Sequence, residues 1–178
     1  MNSSSFGLKR LVFMSLFVGL TIICVRFLSF ETTIIRVSLG FVPLSACGML
    51  LGPLSAGIVG IVADVLGMLI SSRGGIYFFP FGISEFFYGV TFGLILYKKR
   101  PSFLKLTISL LIQFVVINLA LGSLWIYLYN LLIIGTPKTF WLVFGSRIIS
   151  AAVQFPVQLV VINLMKNHLA PQSSKFKF

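Results

Sequence analysis

The stretch that decides the fold lies at residues 37–70 and reads VSLGFVPLSACGMLL-GP-LSAGIVGIVADVLGMLI. Its two apolar runs, residues 37–51 and 54–70, are separated only by Gly52 and Pro53. Proline cannot continue the hydrogen-bond ladder of a helix, so this pair predicts a tight reversal between two helices. Long apolar runs joined by so short a turn favour a helical hairpin embedded in a lipid bilayer.

The same apolar character extends over the rest of the chain. Of 178 residues, 58% are hydrophobic and only 10% are charged, and the mean hydropathy is +1.07. A soluble domain carries about 25% charged residues, and one crossing of a bilayer takes about 20 apolar residues. We therefore predict an all-α integral membrane protein, with residues 1–178 forming a single transmembrane domain and no room for a separate catalytic or nucleotide-binding domain. Six spans are expected, at about residues 11–29, 37–51, 54–70, 77–97, 103–134 and 140–165.

The start of the chain resembles a signal peptide, because Lys9 and Arg10 precede an apolar run. A signal-peptidase site needs a small residue just before the cleavage point, and none stands before Cys24. The apolar run also continues to Phe30, which makes it long enough to span a bilayer. We therefore predict a retained first helix. Cys24 and Cys47 both lie inside apolar segments without metal-ligand spacing, which predicts buried thiols.

The net charge of +11 is distributed at the ends of apolar runs rather than along one face. This pattern indicates membrane topology and contact with anionic lipid instead of nucleic-acid binding. With the N-terminus inside, nine basic residues fall on the cytoplasmic side and four on the outer side, so both termini are predicted to be cytoplasmic. The cytoplasmic set is Lys9, Arg10, Lys98, Lys99, Arg100, Lys105, Lys166, Lys175 and Lys177, and the outer set is Arg26, Arg36, Arg73 and Lys138.

Residues for catalysis are scarce. His168 is the only histidine of the chain, and it lies in the basic tail. One histidine with scattered acids cannot supply the three or four ligands of a metal site. The sequence also has no phosphate-binding glycine loop and no serine paired with a histidine. We therefore expect no enzyme activity, no metal and no cofactor.

Ionisable residues inside the spans are more informative, because each is costly in lipid and usually faces the interior of a bundle. Arg26, Arg36 and Arg147 lie in the outer halves of their spans. Snorkelling, or pairing with Glu31, is one interpretation. An anion-binding set is the other, because a guanidinium matches a carboxylate in a two-pronged geometry.

Two acids and two aromatic clusters also fall near the spans. Asp64 and Glu85 suit interhelical hydrogen bonding or neutralisation of an arginine better than a proton relay. The aromatic clusters fit either an interfacial belt or stacking on a flat ligand. Pairs of small residues four apart predict close helix packing in lipid. The aromatic residues are Tyr77, Phe79, Phe81, Trp125 and Tyr127, and the small pairs are Ser15 with Gly19, Gly48 with Gly52, and Ala56 with Gly60.

Four stretches carry a resemblance to a known family: RVSLGFVP at residues 36–43, GMLLGP at 48–53, GIVAD at 60–64 and GGIYFFP at 74–80. Together with the order of the spans, they resemble the S components of energy-coupling factor (ECF) vitamin transporters over essentially the whole chain. The first stretch, and Arg26 followed by Phe-Leu-Ser, look most like the folate-specific branch.

The resemblance implies a multi-pass protein of a bacterial cell membrane that binds folate or reduced folate from outside with high affinity. A separate transmembrane coupling subunit and two ATPases would then drive its release inward. Ser15 and Gly19 stand where the family often has an alanine-x-x-x-alanine motif for docking the coupling subunit. The implied ligand contacts are Arg26, Arg36 and Arg147 for the anionic tail, Tyr77, Phe79, Phe81, Trp125 and Tyr127 for the rings, and Asn118, Gln154 and Gln158 for polar groups.

Three alternatives stay open at this point. The vitamin could be another one, such as riboflavin, thiamine or pantothenate, because one fold serves many ligands. The chain could instead be a carrier that works alone, or a membrane-embedded enzyme acting on a lipid.

Overall fold

A computed structural model describes residues 3–31, 36–70, 77–99, 102–135 and 140–169, with side chains described for 7–29, 38–70, 77–99, 102–135 and 140–164. Between the first and second helices, Phe30–Glu31 pairs antiparallel with Arg36–Val37. The prediction of a bundle of six helices is confirmed. In chain order, the helices of the described residues are Ser3–Arg26, Phe41–Leu51, Pro53–Ile70, Pro80–Leu96, Phe103–Ile134 and Phe140–Leu169.

The predicted reversal at Gly52 and Pro53 is present. The N–H of Gly52 donates to the carbonyl of Gly48 at 3.2 Å, which closes the second helix. Gly52 has φ +92° and ψ 176°, a conformation that essentially only glycine adopts. Pro53 is the first residue of the third helix, where its missing N–H costs nothing.

The second helix is shorter than predicted. It begins at Phe41 rather than near Val37, and its 11 residues rise about 16 Å. The N–H of Gly40 donates to the Ser38 hydroxyl at 3.2 Å, a local turn that precedes the helix. Among the described residues, the first, third, fifth and sixth helices are long and apolar enough to cross a bilayer. The second helix therefore fills only about half of a hydrocarbon core about 30 Å thick.

Small residues bring the second, third and fourth helices into backbone contact. A Cβ added to Gly48 would lie 2.9 Å from the backbone nitrogen of Gly93. A Cβ on Gly89 would collide with the carbonyl of Ala56, and one on Gly60 with the carbonyl of Glu85. The close packing predicted from Gly48, Ala56 and Gly60 is thus present. It is expected in lipid, where helices associate through small residues because the hydrophobic effect does not hold them together.

Most of the described basic residues lie at one end of the bundle. Arg10 donates to the carbonyl of Leu51 at 3.1 Å and to the hydroxyl of Ser55. The ring of Tyr97 lies 3.3 Å from a Cβ added to Gly52. The start of the first helix, the Gly52 reversal and the end of the fourth helix therefore meet at this end, beside Lys98 and Lys99. An excess of basic residues favours a cytoplasmic side.

The core on this side is apolar and closely packed. Cys47 is buried on this side, and Cys24 is buried near the other end of the first helix, two residues before Arg26, as predicted for small apolar side chains. Phe92, Leu96, Leu106 and Ile162 form one buried cluster that joins the fourth, fifth and sixth helices. The bundle is thus closed at the basic end, and open space remains toward the other.

Candidate ligand-binding cavity

A cavity of about 700 Å³ lies toward the end of the bundle opposite the basic cluster. All six helices and the turn before the second helix line it. The second helix begins only at Phe41, about halfway through the bundle, so the outer half of the bundle has one helix fewer to fill it. The lining is unusually polar for a membrane bundle: Thr21, Arg26, Ser38, Asp64, Tyr77, Ser84, Glu85, Tyr88, Asn118, Tyr129, Ser146, Arg147, Ser150, Gln154 and Gln158.

The structure brings most of the predicted site residues to this cavity. Phe79, Trp125 and Tyr127, all in the described part of the chain, lie outside its lining. The side chain of Arg36 lies outside the described residues. The predicted residues that line the cavity are Arg26, Tyr77, Phe81, Asn118, Arg147 and Gln154, together with Gln158.

Arg147 is held against the fifth helix. Its Nη1 donates to the backbone carbonyl of Asn118 at 3.0 Å and to the Asn118 side-chain oxygen at 2.8 Å. Gly122, one turn along the fifth helix, leaves room for the guanidinium, and a Cβ there would lie 2.8 Å from the Arg147 Cζ. The sixth helix thus presents a fixed cation to the cavity.

Arg26 occupies the opposite wall. It ends the first helix and packs over Gly67 of the third helix, where an added Cβ would lie 3.0 Å from its Nε. Asp64 lies one turn before Gly67 on the same helix. Near Gly82 of the fourth helix, an added Cβ would lie 2.8 Å from the Tyr77 hydroxyl oxygen and 3.6 Å from Asp64 Oδ2. The first helix, the third helix and the segment just before the fourth helix therefore bring a cation, a carboxylate and a phenol to one wall.

Asp64 and Glu85 were not predicted as ligand contacts, yet both line the cavity. The sequence signal for them was present, because an acid inside a span usually faces the interior of a bundle. Spacing alone could not tell that the third and fourth helices turn these two acids toward the same cavity as the arginines.

At its deep end the cavity is closed by a polar pair. The amide nitrogen of Gln158 donates to the Tyr88 hydroxyl oxygen at 3.2 Å. Gln158 is buried, and the Tyr88 ring packs edge-on against Phe92 at 5.7 Å. A ligand that reaches this end meets a hydroxyl and an amide whose positions are fixed by each other.

Aromatic rings from the fourth helix, from the residues just before it and from the fifth helix form one side of the cavity. Phe78 packs edge-on against Phe81 at 5.6 Å and against Tyr129 at 5.8 Å. Phe78 and Tyr129 belong to the two aromatic clusters of the sequence but were not among the predicted ligand contacts, because the sequence offered no means of choosing between helix faces.

The predicted aromatic residues outside the lining have other contacts. The indole N–H of Trp125 donates to the Ser84 hydroxyl at 3.0 Å, so this ring holds a residue that lines the cavity. Tyr127 packs edge-on against Phe140 at 6.0 Å. Phe79 is 56% exposed on the outer surface, where an interfacial aromatic ring is expected.

Comparisons with known proteins agree with this architecture. The family described as "ECF transporter, substrate-specific component" matches residues 9–165. A relative from Clostridium novyi, named folate transporter FolT, is 36% identical over 152 residues, which is 85% of this chain and 84% of that protein. A FolT from Leuconostoc mesenteroides is 22% identical over 161 residues, with coverages of 90% and 85%. A solved structure described as "Crystal structure of FolT bound with folic acid" has a TM-score of 0.77 at 30% identity, covering 94% of this chain and 95% of that one.

A six-helix membrane bundle with a polar cavity near one end defines a membrane-embedded binding protein. The chain belongs to the family of substrate-specific components of ECF transporters. It is therefore a multi-pass protein of the bacterial cell membrane and one subunit of a larger transporter, rather than an enzyme. The resemblance seen in the sequence is confirmed.

Proposed function

We propose that this chain is the folate-binding subunit of its transporter, and that folate or reduced folate occupies the 700 Å³ cavity from the outer side. The observation that carries the proposal is the convergence of Arg26 and Arg147 with aromatic rings on one cavity. The volume lies within the range of about 300–1,000 Å³ that is typical of sites for small molecules. The names of the relatives at 36% and 30% identity support the choice of folate.

The anionic tail of folate is a glutamate with two carboxylates. Arg26 and Arg147 approach the cavity from the first and the sixth helix, so each can take one carboxylate in a charge-assisted pair. Arg36 remains part of the proposed set. Its backbone pairs with Glu31 in the segment between the first and second helices.

The pterin ring of folate is flat and carries N–H donors on one edge. Asp64 and Glu85 are acceptors for such donors, and the amides of Gln154 and Gln158 can both donate and accept. Phe81 lines the cavity, and we propose that its ring packs against the flat pterin. This chemistry fits a ligand with a donor-rich ring at one end and carboxylates at the other.

The purified protein in detergent is expected to bind folate saturably with one site per chain, measured by calorimetry. A large excess of riboflavin, thiamine or pantothenate should not displace radiolabelled folate, because none of them combines a donor-rich bicyclic ring with a dicarboxylate tail. Displacement by any of the three at folate-like concentrations would assign the cavity to another vitamin.

A matched pair of variants serves as the control for that titration. Phe81→Ala removes a ring that lines the cavity. It should lower the affinity for folate by about three- to tenfold, the effect expected for the loss of one aromatic contact. Phe79→Ala removes a ring of the same type from the exposed outer surface and should leave the affinity unchanged. Equal effects of the two would place folate elsewhere.

The first helix offers a surface for the coupling subunit. Ser15 and Gly19 are exposed one turn apart. Apart from the adjoining turns of its own helix, no described atom lies within 4 Å of a Cβ added at Gly19. Another helix can approach closely at such small residues in lipid. We therefore propose that a transmembrane coupling subunit docks here and that two ATPases supply the energy, since the sequence shows no phosphate-binding loop of its own.

Gly19→Leu is expected to abolish co-purification of the coupling subunit and folate uptake while leaving folate binding unchanged. Bulk at Gly19 keeps a second backbone at a distance, whereas the cavity lies on other faces. The control is Gly145→Leu, the same change at an open position of the sixth helix. Uptake by cells that express this chain without ATPase partners would argue for a carrier that works alone.

A further inference from the structure

The fifth helix departs from α-helical geometry next to Arg147. Residues Gln113–Leu121 are wound as a π-helix, and the N–H of Gly122 bonds to the carbonyl of Ile117. In an α-helix that N–H would bond to the carbonyl of Asn118, four residues back. The shift in register takes this bond away from Asn118, and its carbonyl accepts from Arg147 Nη1 instead. Short π segments of this kind often occur at functional sites.

Gly122 completes the arrangement. Its φ of −65° and ψ of −36° are ordinary helical values, so no backbone strain requires glycine at this position. What the position requires is space, since an added Cβ would collide with Arg147 Nη1 and lie 2.8 Å from Cζ. The π register, the Asn118 side chain and the absence of a side chain at Gly122 all act on the same guanidinium.

Ordering Arg147 before the ligand arrives is expected to strengthen ligand binding. A flexible arginine side chain loses rotamer entropy when a ligand fixes it in one conformation. Arg147 is held through two hydrogen bonds from one nitrogen before any ligand arrives. A side chain ordered in advance loses less on binding, which strengthens the complex without any new contact.

We infer that Asn118 and Gly122 are positioning residues that orient Arg147 toward a carboxylate of the ligand's anionic tail, and that they thereby determine preference for ligands that carry the tail. This inference rests on the proposed function. A planar guanidinium held in one orientation suits a carboxylate, which accepts two parallel N–H bonds. Asn118 was predicted as a direct polar contact of the ligand, whereas both of its oxygens accept hydrogen bonds from Arg147.

The test compares folate with pteroate, which has the same rings but lacks the glutamate. Gly122→Ala should lower folate affinity about tenfold, the scale of one charge-assisted hydrogen bond, and leave pteroate affinity unchanged. Alanine is a better helix former than glycine, and the colliding group is the end of a flexible side chain, so the variant should fold. Gly145→Ala makes the same change on the helix of Arg147 in open space and should affect neither ligand.

Two further variants separate positioning from structure. Asn118→Leu removes the side-chain oxygen that accepts from Arg147 Nη1. It should likewise lower the affinity for folate but not the affinity for pteroate. In an Arg147→Ala background, Gly122→Ala should have no additional effect on folate, because the group that it displaces is gone. If wild type bound folate and Gly122→Ala weakened both ligands alike, or neither, the inference would be overturned. If wild type bound neither ligand, the proposed function itself would fail, and the inference with it.

Discussion

Replacing both Arg26 and Arg147 by glutamine is expected to lower folate affinity by about a hundredfold to ten-thousandfold. Each arginine is proposed to make a charge-assisted contact worth about 1.5–3 kcal/mol, and about 1.4 kcal/mol corresponds to a factor of ten. The two side chains come from the first and the sixth helix and reach different walls of the cavity. Their contributions should therefore add, as is usual for separated sites.

The charge that remains in the cavity increases this effect. Among the described lining residues, the two arginines are balanced by Asp64 and Glu85. With both arginines neutral, a dianionic ligand faces two carboxylates in a medium of low dielectric constant, where like charges repel more strongly than in water. Glutamine keeps polar donors at both positions, so the loss reports charge and two-pronged geometry rather than the removal of hydrogen-bonding groups.

Calorimetric titration of folate measures the affinity, and thermal melting of the same samples shows whether the bundle is intact. The control is Lys98→Gln with Lys99→Gln, which removes the same amount of charge from the opposite end of the molecule. This control should bind folate as wild type does. If the arginine variant bound within threefold of wild type while melting normally, the anionic tail would not lie between these two residues.

The number and order of the helices could be predicted because both follow from the apolar runs of the sequence and the residues that end them. Six apolar runs, punctuated by glycine, proline and basic residues, are enough to count the helices. The length of the second helix was not predictable, since residues 37–40 are as apolar as the helix that follows them. Those few residues matter, because the late start at Phe41 leaves the space that becomes the cavity.

Site residues could be predicted where placing a charge in lipid costs free energy, because such a residue usually has a function. They were harder to predict where the role of a residue depends on the face of the helix that it occupies. Arg26 and Arg147 stand out because a charge in lipid needs a reason. Phe79 and Phe81 look equivalent in sequence, yet one is exposed and the other lines the cavity. Gly122 carries no sequence signal, because the π register that gives it a role depends on the packing of the fifth helix against the sixth.

The largest effect on stability is expected at the interface between the third and fourth helices. A Cβ at Gly89 would collide with the carbonyl oxygen of Ala56 and would lie 2.8 Å from the backbone nitrogen of Gly57. Backbone atoms cannot rotate away as side chains can, so any larger residue must push the two helices apart. In lipid this close packing is itself what holds helices together.

Gly89→Val is therefore expected to destabilise the protein by about 3 kcal/mol, the upper part of the range for overpacking. For a chain of this size, that loss lowers the melting temperature by about 6–12 °C. Gly19→Val is the matched control, because apart from the adjoining turns of its own helix no described atom lies within 4 Å of its added Cβ. It should melt within about 2 °C of wild type. Melting in detergent, followed by tryptophan fluorescence, measures both. Equal melting of the two variants would show that backbone contact does not limit the spacing of these helices, and the small pairs at Gly48, Ala56 and Gly60 would lose their physical explanation.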